Sequence, residues 1–332
     1  MFSLDRSLLD SRSRAAFRMR LYGETDELFI VVPDSTRRSL DLGPRVHVTT
    51  TGGRTKLCQL YGLVAVGAKL AAEMDVSIVT AQDPFFTGWA GMRVRRRLRP
   101  RRALTLEVQV HGDFFGSRYY LASGLMNAVR YATARYCVLP RADRIRVAGQ
   151  RVRQSLLRLG IPDERLAVRP VPLDQEKLRT TVARNLRQEY PDDEKIFVYV
   201  GRLEPVKGAD WLIDIFSELI RTHKKRYRLI VVGDGSCRRQ LERRAARKKC
   251  ADAVIFLGQA ADPFPYIKGA TAVVFPSLSE GYGLVPLEAR ALCTPVIMTD
   301  VGVANYELEP GPEVRIVPVG DRAGFKQAML RI

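Results

Sequence analysis

The chain has 332 residues, 46% hydrophobic and 27% charged, with 54 Lys and Arg against 36 Asp and Glu and a net charge of +18. At roughly 150 residues per domain this is about two globular domains, large enough to fold on apolar burial without a staple, and the composition excludes a disordered chain. No apolar run approaches the ~20 residues that span a bilayer; the five cysteines are scattered without a Cys-x-x-Cys pair, which argues against a disulfide framework or zinc site and predicts a reducing cytoplasm.

Apolar runs at 28–32 and 46–50 read as strands. From Leu57, apolar residues recur at Leu60, Val64, Ala68, Ala71 and Met74, the three-and-four spacing of one helix face. Strands follow at 76–80, at 104–110 ending on His111-Gly112, at 144–147 and at 166–171. The polar segment 173–194 reads as a hinge region with one helical stretch, separating residues 1–172 from 195–332. Alternation then restarts with a strand at 196–200, a helix at 209–221, a strand at 229–232 closed by Gly233-Asp234-Gly235, a basic helix at 237–249, and strands at 254–257, 272–275, 296–299 and 314–317. The pattern predicts an α/β chain of two tandem Rossmann-like, doubly wound parallel-sheet domains, whose ligands sit beyond the carboxyl ends of the strands. The first thirty residues carry Arg and Asp throughout and read as no secretory signal.

The positive charge is uneven. Residues 1–190 hold 33 basic and 18 acidic residues, a net +15, and residues 191–332 a net +3. Such a field favours a polyanion: nucleic acid, anionic lipid or a phosphorylated substrate. The densest run, Arg93 to Arg102, lacks interleaved aromatics, which weighs against single-stranded nucleic acid and leaves a solvated helix end or an anionic membrane surface.

Two stretches of the second half carry chemistry. The strand at 196–200 runs into Gly201-Arg202-Leu203-Glu204-Pro205-Val206-Lys207-Gly208, with two cations five residues apart beyond a strand end. Arg offers forked hydrogen bonds to phosphate oxygens, and Lys a point charge. Phe275-Pro276-Ser277 then leads to Glu280-Gly281-Tyr282-Gly283-Leu284-Val285-Pro286-Leu287-Glu288. Pro286 suits a first helical turn, so a helix starts near Gly283 or Leu284, and its free amides suit an anion. Glu280 then precedes the helix and Glu288 lies one turn inside it. The two cannot form a paired-carboxylate unit and must touch different parts of a long ligand.

These motifs, with Gly233-Asp234-Gly235, Phe256-Leu257-Gly258 and Thr294-Pro295-Val296-Ile297, resemble in order the carboxy-terminal half of glycosyltransferase family four, retaining enzymes of the GT-B fold. The resemblance is clearest over residues 195–321. It implies transfer of a sugar from a nucleotide-diphosphate sugar to a glycan or lipid-linked acceptor, as in polysaccharide biosynthesis, with no bound cofactor and no required metal; no Asp-x-Asp triplet occurs. By resemblance, Arg202, Lys207 and the amides of Gly281, Tyr282, Gly283 and Leu284 receive the donor diphosphate. Glu280 holds the sugar hydroxyls, Glu288 the ribose, and the base packs by Gly258. His111, in Val108-Gln109-Val110-His111-Gly112-Asp113, matches the strand-end histidine beside the donor sugar, so His111 and Glu280 are the candidate catalytic pair. Thr80-Ala81-Gln82-Asp83-Pro84 either lines the acceptor pocket or, through Asp83, caps the next helix.

The resemblance carries departures. The family has Ser where this chain has Ala148-Gly149, and both ends look short: little precedes Asp5, and little follows Asp321. A poorer catalyst than a full-length relative is the expectation. The expected setting is cytoplasmic, peripheral on the cytoplasmic face of the membrane. A nucleotide-sugar epimerase of the same architecture and a non-catalytic basic binding protein are the alternatives.

Overall fold

A computed structural model describes residues 1–99, 103–122, 124–222 and 226–332. The chain divides into two units: Met1–Ala148 with Val152–Arg169, and Gly149–Arg151 with Pro170–Ile332.

Unit 1 begins with α1 (Arg14–Gly23), whose first turn is capped by Ser13, then β1 (Leu28–Val32), β2 (Ser39–Gly43), β3 (Val46–Thr50), α2 (Lys56–Glu73), β4 (Ile78–Ala81) and α3 (Phe86–Leu98). There follow β5 (Thr105–Val110), α4 (Arg118–Ala122), α5 (Leu125–Ala132) running into a π-helical turn at Thr133–Val138, β6 (Arg144–Val147), α6 (Gln150–Arg158) and β7 (Leu166–Val168). Strands pair in the orders β1-β3-β2 and β4-β5-β6-β7. Phe2 bridges the two sets, lying parallel to both Val31 and Ala81 and exchanging backbone bonds with Thr80 and Gln82. The buried ring of Phe2 packs with Leu63, Val66, Val94, Leu106 and Val108 in the larger apolar cluster of the unit.

The pairing is parallel except at β2, which runs antiparallel to β3. The predicted strand at 76–80 lies at Ile78–Ala81, because α2 carries through Glu73 and the chain needs the next residues to turn. The strand predicted at 166–171 stops at Val168. Arg169 N–H gives a last bond to Val147 O, and Pro170 has no N–H to continue.

Unit 2 takes in the polar segment first. It forms two short helices, not one: α7 (Gln175–Thr180), capped by Asp174, and α8 (Leu186–Glu189), capped by Asn185. Each cap side chain accepts the N–H of the third residue of its helix, Lys177 and Gln188, which restarts the helix after the break. Then come β8 (Lys195–Val200), α9 (Ala209–Thr222), β9 (Tyr227–Val232), α10 (Arg238–Arg247), β10 (Val254–Gly258), α11 (Phe264–Gly269), β11 (Ala272–Phe275), α12 (Leu284–Ala291), β12 (Val296–Thr299), β13 (Val314–Val317) and α13 (Arg322–Arg331).

All six strands are parallel in the order β10-β9-β8-β11-β12-β13. In sequence terms this is 3-2-1-4-5-6, with the order reversing between β8 and β11, the crevice where doubly wound sheets bind ligands. The strands are apolar on both faces, as a sheet covered by helices on each side requires. α9 buries Trp211, Leu212, Ile215, Phe216 and Leu219 on that sheet, and Trp211 meets Phe325 of α13 edge-on.

Candidate functional site

The loops after β8, β9, β11 and β12 meet beyond the carboxyl edge of the unit 2 sheet. Glycine makes the approach possible. Gly208 has φ +67, and a Cβ there would stand 2.2 Å from Pro276 O; Gly233 has φ +144, and its Cβ would stand 1.9 Å from Gly201 O. No other residue fits either place. Leu278 N–H donates to Val206 O at 2.8 Å, so the turn at Pro205–Lys207 is tied to the loop that carries Glu280.

That tie presents Lys207 to Glu280. Lys207 Nζ lies 2.6 Å from Glu280 Oε1, with side chains only 16% and 9% exposed. Ser277 Oγ donates to the same carboxylate oxygen at 2.7 Å, and Thr299 Oγ1 donates to Ser277 O at 2.5 Å. The carboxylate is thus held in position through Oε1. Ser277 and Thr299 were not singled out as site residues by sequence reasoning. Their signal is positional: Ser277 lies two residues past the end of β11, and Thr299 is the last residue of β12.

α12 begins at Leu284 with Pro286 in its first turn, as the sequence predicts. Its N-cap is Gly283, with φ +86 and no side-chain cap. The first amides of the helix, beside Glu280, therefore face outward without a protein acceptor among the described residues. Gly302, with φ +56, lets the loop after β12 press on this segment, and Val303 N–H donates to Tyr282 O at 2.8 Å. Glu288 stands in the second turn of α12, half-buried.

Arg202 is exposed in the loop after β8 and makes no ion pair among the described residues. The Tyr199 hydroxyl donates to Arg202 O at 3.0 Å. Burial, reinforced by the nearby Glu280 carboxylate, raises the Tyr199 pKa, so this hydroxyl stays protonated and a donor. Gly258, φ +79, ends β10, and its carbonyl accepts Gly233 N–H at 2.8 Å; a Cβ there would stand 3.0 Å from Arg238 Nη1, and Arg238 Nη2 donates to Phe256 O at 3.3 Å.

Unit 1 holds the other candidates. His111 follows β5 at a solvent-exposed position, with Nε2 3.0 Å from Gln109 Oε1. Partial desolvation of the ring, then the positive charges of Arg146 and Arg18, hold its pKa below the ordinary imidazole value, so the neutral form prevails at pH 7. Asp83 proves to be a turn-former. Its carboxylate accepts Phe85 N–H at 2.7 Å and Thr87 Oγ1–H at 2.7 Å, setting the start of α3. Of the run Arg93 to Arg102, residues 93–99 fall on and just past α3, and residues 100–102 lie outside the described residues.

Among the described residues no cluster of three His, Cys, Asp or Glu is placed to hold a metal ion, and no helix is long and apolar enough to cross a membrane.

Known proteins match along both units. Residues 20–177 match the Glycosyltransferase Family 4 model, and residues 194–332 match Glycosyl transferases group 1. An alpha-D-kanosaminyltransferase of Streptomyces kanamyceticus is 33% identical over 263 residues, 76% of this chain and 64% of that protein. A D-inositol 3-phosphate glycosyltransferase of Acidothermus cellulolyticus is 32% identical over 196 residues, 54% of this chain and 43% of that one. The aligned segments thus span less than two thirds of these relatives' own length. The solved structure of Anabaena Alr3699/HepE in complex with UDP and glucose superimposes with a TM-score of 0.73 at 18% identity, covering 99% of this chain and 87% of that one. With a glycosyltransferase model matching each of its two doubly wound units, the chain is similar in sequence to family-four glycosyltransferases and has the GT-B fold.

Proposed function

We propose that the chain transfers a sugar, with retention, from a nucleotide-diphosphate sugar to a glycan or lipid-linked acceptor. The observation that carries this reading is the Lys207–Glu280–Ser277 cluster beside the uncapped start of α12. Arg202, Lys207 and the amides of Gly281, Tyr282, Gly283 and Leu284 receive the diphosphate and stabilise the charge that builds on it as the glycosidic bond breaks. Glu280 orients the sugar through its hydroxyls. With Lys207 and Ser277 both on Oε1, this carboxylate is a poor nucleophile, which favours same-face attack by the acceptor with the departing phosphate taking the acceptor proton. Glu288 holds the ribose, and the base packs by Gly258. Neutral His111 serves the acceptor side as a hydrogen-bonding group, not a cation. UDP is the first nucleotide to try, since it is the nucleotide in the HepE complex.

The reaction needs no metal in this scheme, because the cations and helix amides supply the positive charge. The surplus of +15 over residues 1–190 suits an acceptor presented at the anionic, cytoplasmic face of a membrane. A mass-spectrometric screen of nucleotide sugars, with and without added glycan or lipid-linked acceptors, tests the reading. Acceptor-dependent release of the nucleoside diphosphate supports it. Conversion of the donor to an isomer without acceptor identifies an epimerase, and no turnover or binding of any donor leaves a basic binding protein.

A further inference from the structure

Unit 1 contains a second concentration of cationic groups, at the opposite edge of its sheet from His111. A cavity of about 890 Å³ opens where the carboxyl end of α3 meets the residues that lead into β6 and β7. Arg93, Arg95, Arg96 and Arg99 enter it from α3 and its end, Arg141 from the turn before β6, and Arg165 from the turn before β7. Asp143 is the carboxylate among the described lining residues, and Arg95 already holds it at 2.9 Å. Arg93, Arg96, Arg99, Arg141 and Arg165 have no carboxylate partner among the described residues.

Arginines in the last turn of a helix complement its dipole, and that accounts for part of the α3 run. It does not account for two further arginines converging from separate segments. Those two are positioned rather than loose: Arg141 donates to Cys137 O at 2.9 Å and Tyr136 O at 3.2 Å, and Arg165 donates to Pro140 O at 3.2 Å. Arg93 lies over the Trp89 ring, 5.1 Å from its centroid. Each guanidinium so fixed keeps further N–H groups for a ligand. Several cations gathered in one concavity repel one another unless an anion joins them, and the fork geometry of arginine matches phosphate oxygens.

We propose that this cavity binds a phosphate-bearing anion with more than one phosphate charge, at a site separate from the donor residues of unit 2. The ligand is either a soluble diphosphate-type anion or the headgroups of anionic lipid. A neighbouring feature bears on the second source. The π-helical turn that contributes Thr133 and Cys137 to the cavity continues α5, whose Leu125, Met126 and Val129 are 83%, 61% and 53% exposed.

The test uses the whole chain and two double variants, Arg96→Ser/Arg99→Ser and Arg202→Ala/Lys207→Ala. Inorganic pyrophosphate is titrated calorimetrically at fixed ionic strength, and sedimentation is measured with phosphatidylglycerol vesicles and with neutral phosphatidylcholine vesicles. The proposal expects saturable pyrophosphate binding or phosphatidylglycerol-selective sedimentation that survives Arg202→Ala/Lys207→Ala and falls at least tenfold in Arg96→Ser/Arg99→Ser. Pyrophosphate binding alone assigns a soluble ligand. Sedimentation that pyrophosphate competes away assigns the lipid. Binding to neither probe, or binding that Arg96→Ser/Arg99→Ser leaves unchanged, overturns it. The donor assignment fails separately, through Arg202→Ala/Lys207→Ala.

Discussion

Lys207 and Glu280, 73 positions apart in sequence, form a close ion pair at 2.6 Å between two loops of the unit 2 sheet, and both side chains are largely withdrawn from solvent. The pairing holds the two loops together and, in the proposed scheme, also sets the charge that a donor meets. Removing one partner leaves the other poorly solvated. Lys207→Ala is expected to cost roughly 1–3 kcal/mol of stability, less than a fully buried pair because some solvent reaches it, and to weaken UDP binding at least tenfold. Glu280→Ala is expected to lower turnover far more than UDP affinity, since its proposed contact is to the sugar. Calorimetric titration of UDP and steady-state kinetics on both variants check this; equal losses of affinity and turnover in Glu280→Ala would contradict the assignment.

Arg202 and Glu288 are assigned to opposite ends of the nucleotide. Arg202→Ala should weaken nucleoside diphosphate more than nucleoside, losing a charge-assisted contact worth about 1.5–3 kcal/mol. Glu288→Ala should weaken both alike, because its proposed contact is the ribose, which both ligands carry. Titrations of UDP and uridine into each variant separate the two patterns.

Gly302 sets the position of the segment before α12. Its φ is +56, and a Cβ would stand 2.1 Å from Tyr282 O. Gly302→Ala must therefore displace the Glu280–Gly283 loop or strain the backbone, at a cost of at least about 2 kcal/mol. Thermal unfolding should show the loss, and UDP affinity should fall with it. Gly160, also at positive φ but with nothing within 4 Å of its Cβ position, is the control: Gly160→Ala should cost about 1 kcal/mol from the backbone alone.

Several of these features were legible in the sequence and others were not. Gly283 and Pro286 marked the start of α12 because the chemistry of a helix start is local. The β8, β11, β12 and β13 strands were legible because a parallel sheet buried on both faces needs continuous apolar runs. β2 was missed. Its sequence Ser39–Gly43 is polar and largely exposed, with Leu42 its one buried side chain, so alternation was too short to register. α1 was missed too, since its apolar positions are interrupted by Arg18 and Arg20. The Lys207–Glu280 pair and its support by Ser277 and Thr299 depend on which loops the strand order brings together, and pairing between distant loops leaves no local pattern. The convergence of Arg141 and Arg165 on the α3 run was hidden for the same reason.

Asp214 offers a test of stability free of the donor site. Burial alone would raise its pKa, but Arg244 forks onto both carboxylate oxygens, at 2.8 and 2.5 Å, with Lys248 at 3.5 Å and Arg322 at 3.6 Å, and the net shift is downward. A depressed carboxylate pKa adds stability that is present above the unfolded value of about 3.9 and is lost as pH falls through the folded value. Asp214→Asn should lower stability at pH 7 by roughly 2–4 kcal/mol, flatten the acid limb of the unfolding profile, and leave UDP affinity unchanged.

His111 works in the other direction. Its folded pKa lies below the unfolded value near 6.5, so the unfolded chain binds more protons in that window and stability falls as pH drops through it. His111→Gln should remove this component, making stability less dependent on pH as pH falls below the unfolded value of about 6.5. Denaturant unfolding at several pH values gives the comparison.

The central claim is that Arg202, Lys207 and the start of α12 bind a nucleoside diphosphate. Calorimetric titration of UDP, and of the other nucleoside diphosphates, into the chain and into Arg202→Ala/Lys207→Ala tests it most directly. The account predicts one saturable site for at least one of them, lost in the double variant while the fold is kept by circular dichroism. Binding of none, or the same affinity in the double variant, would contradict it.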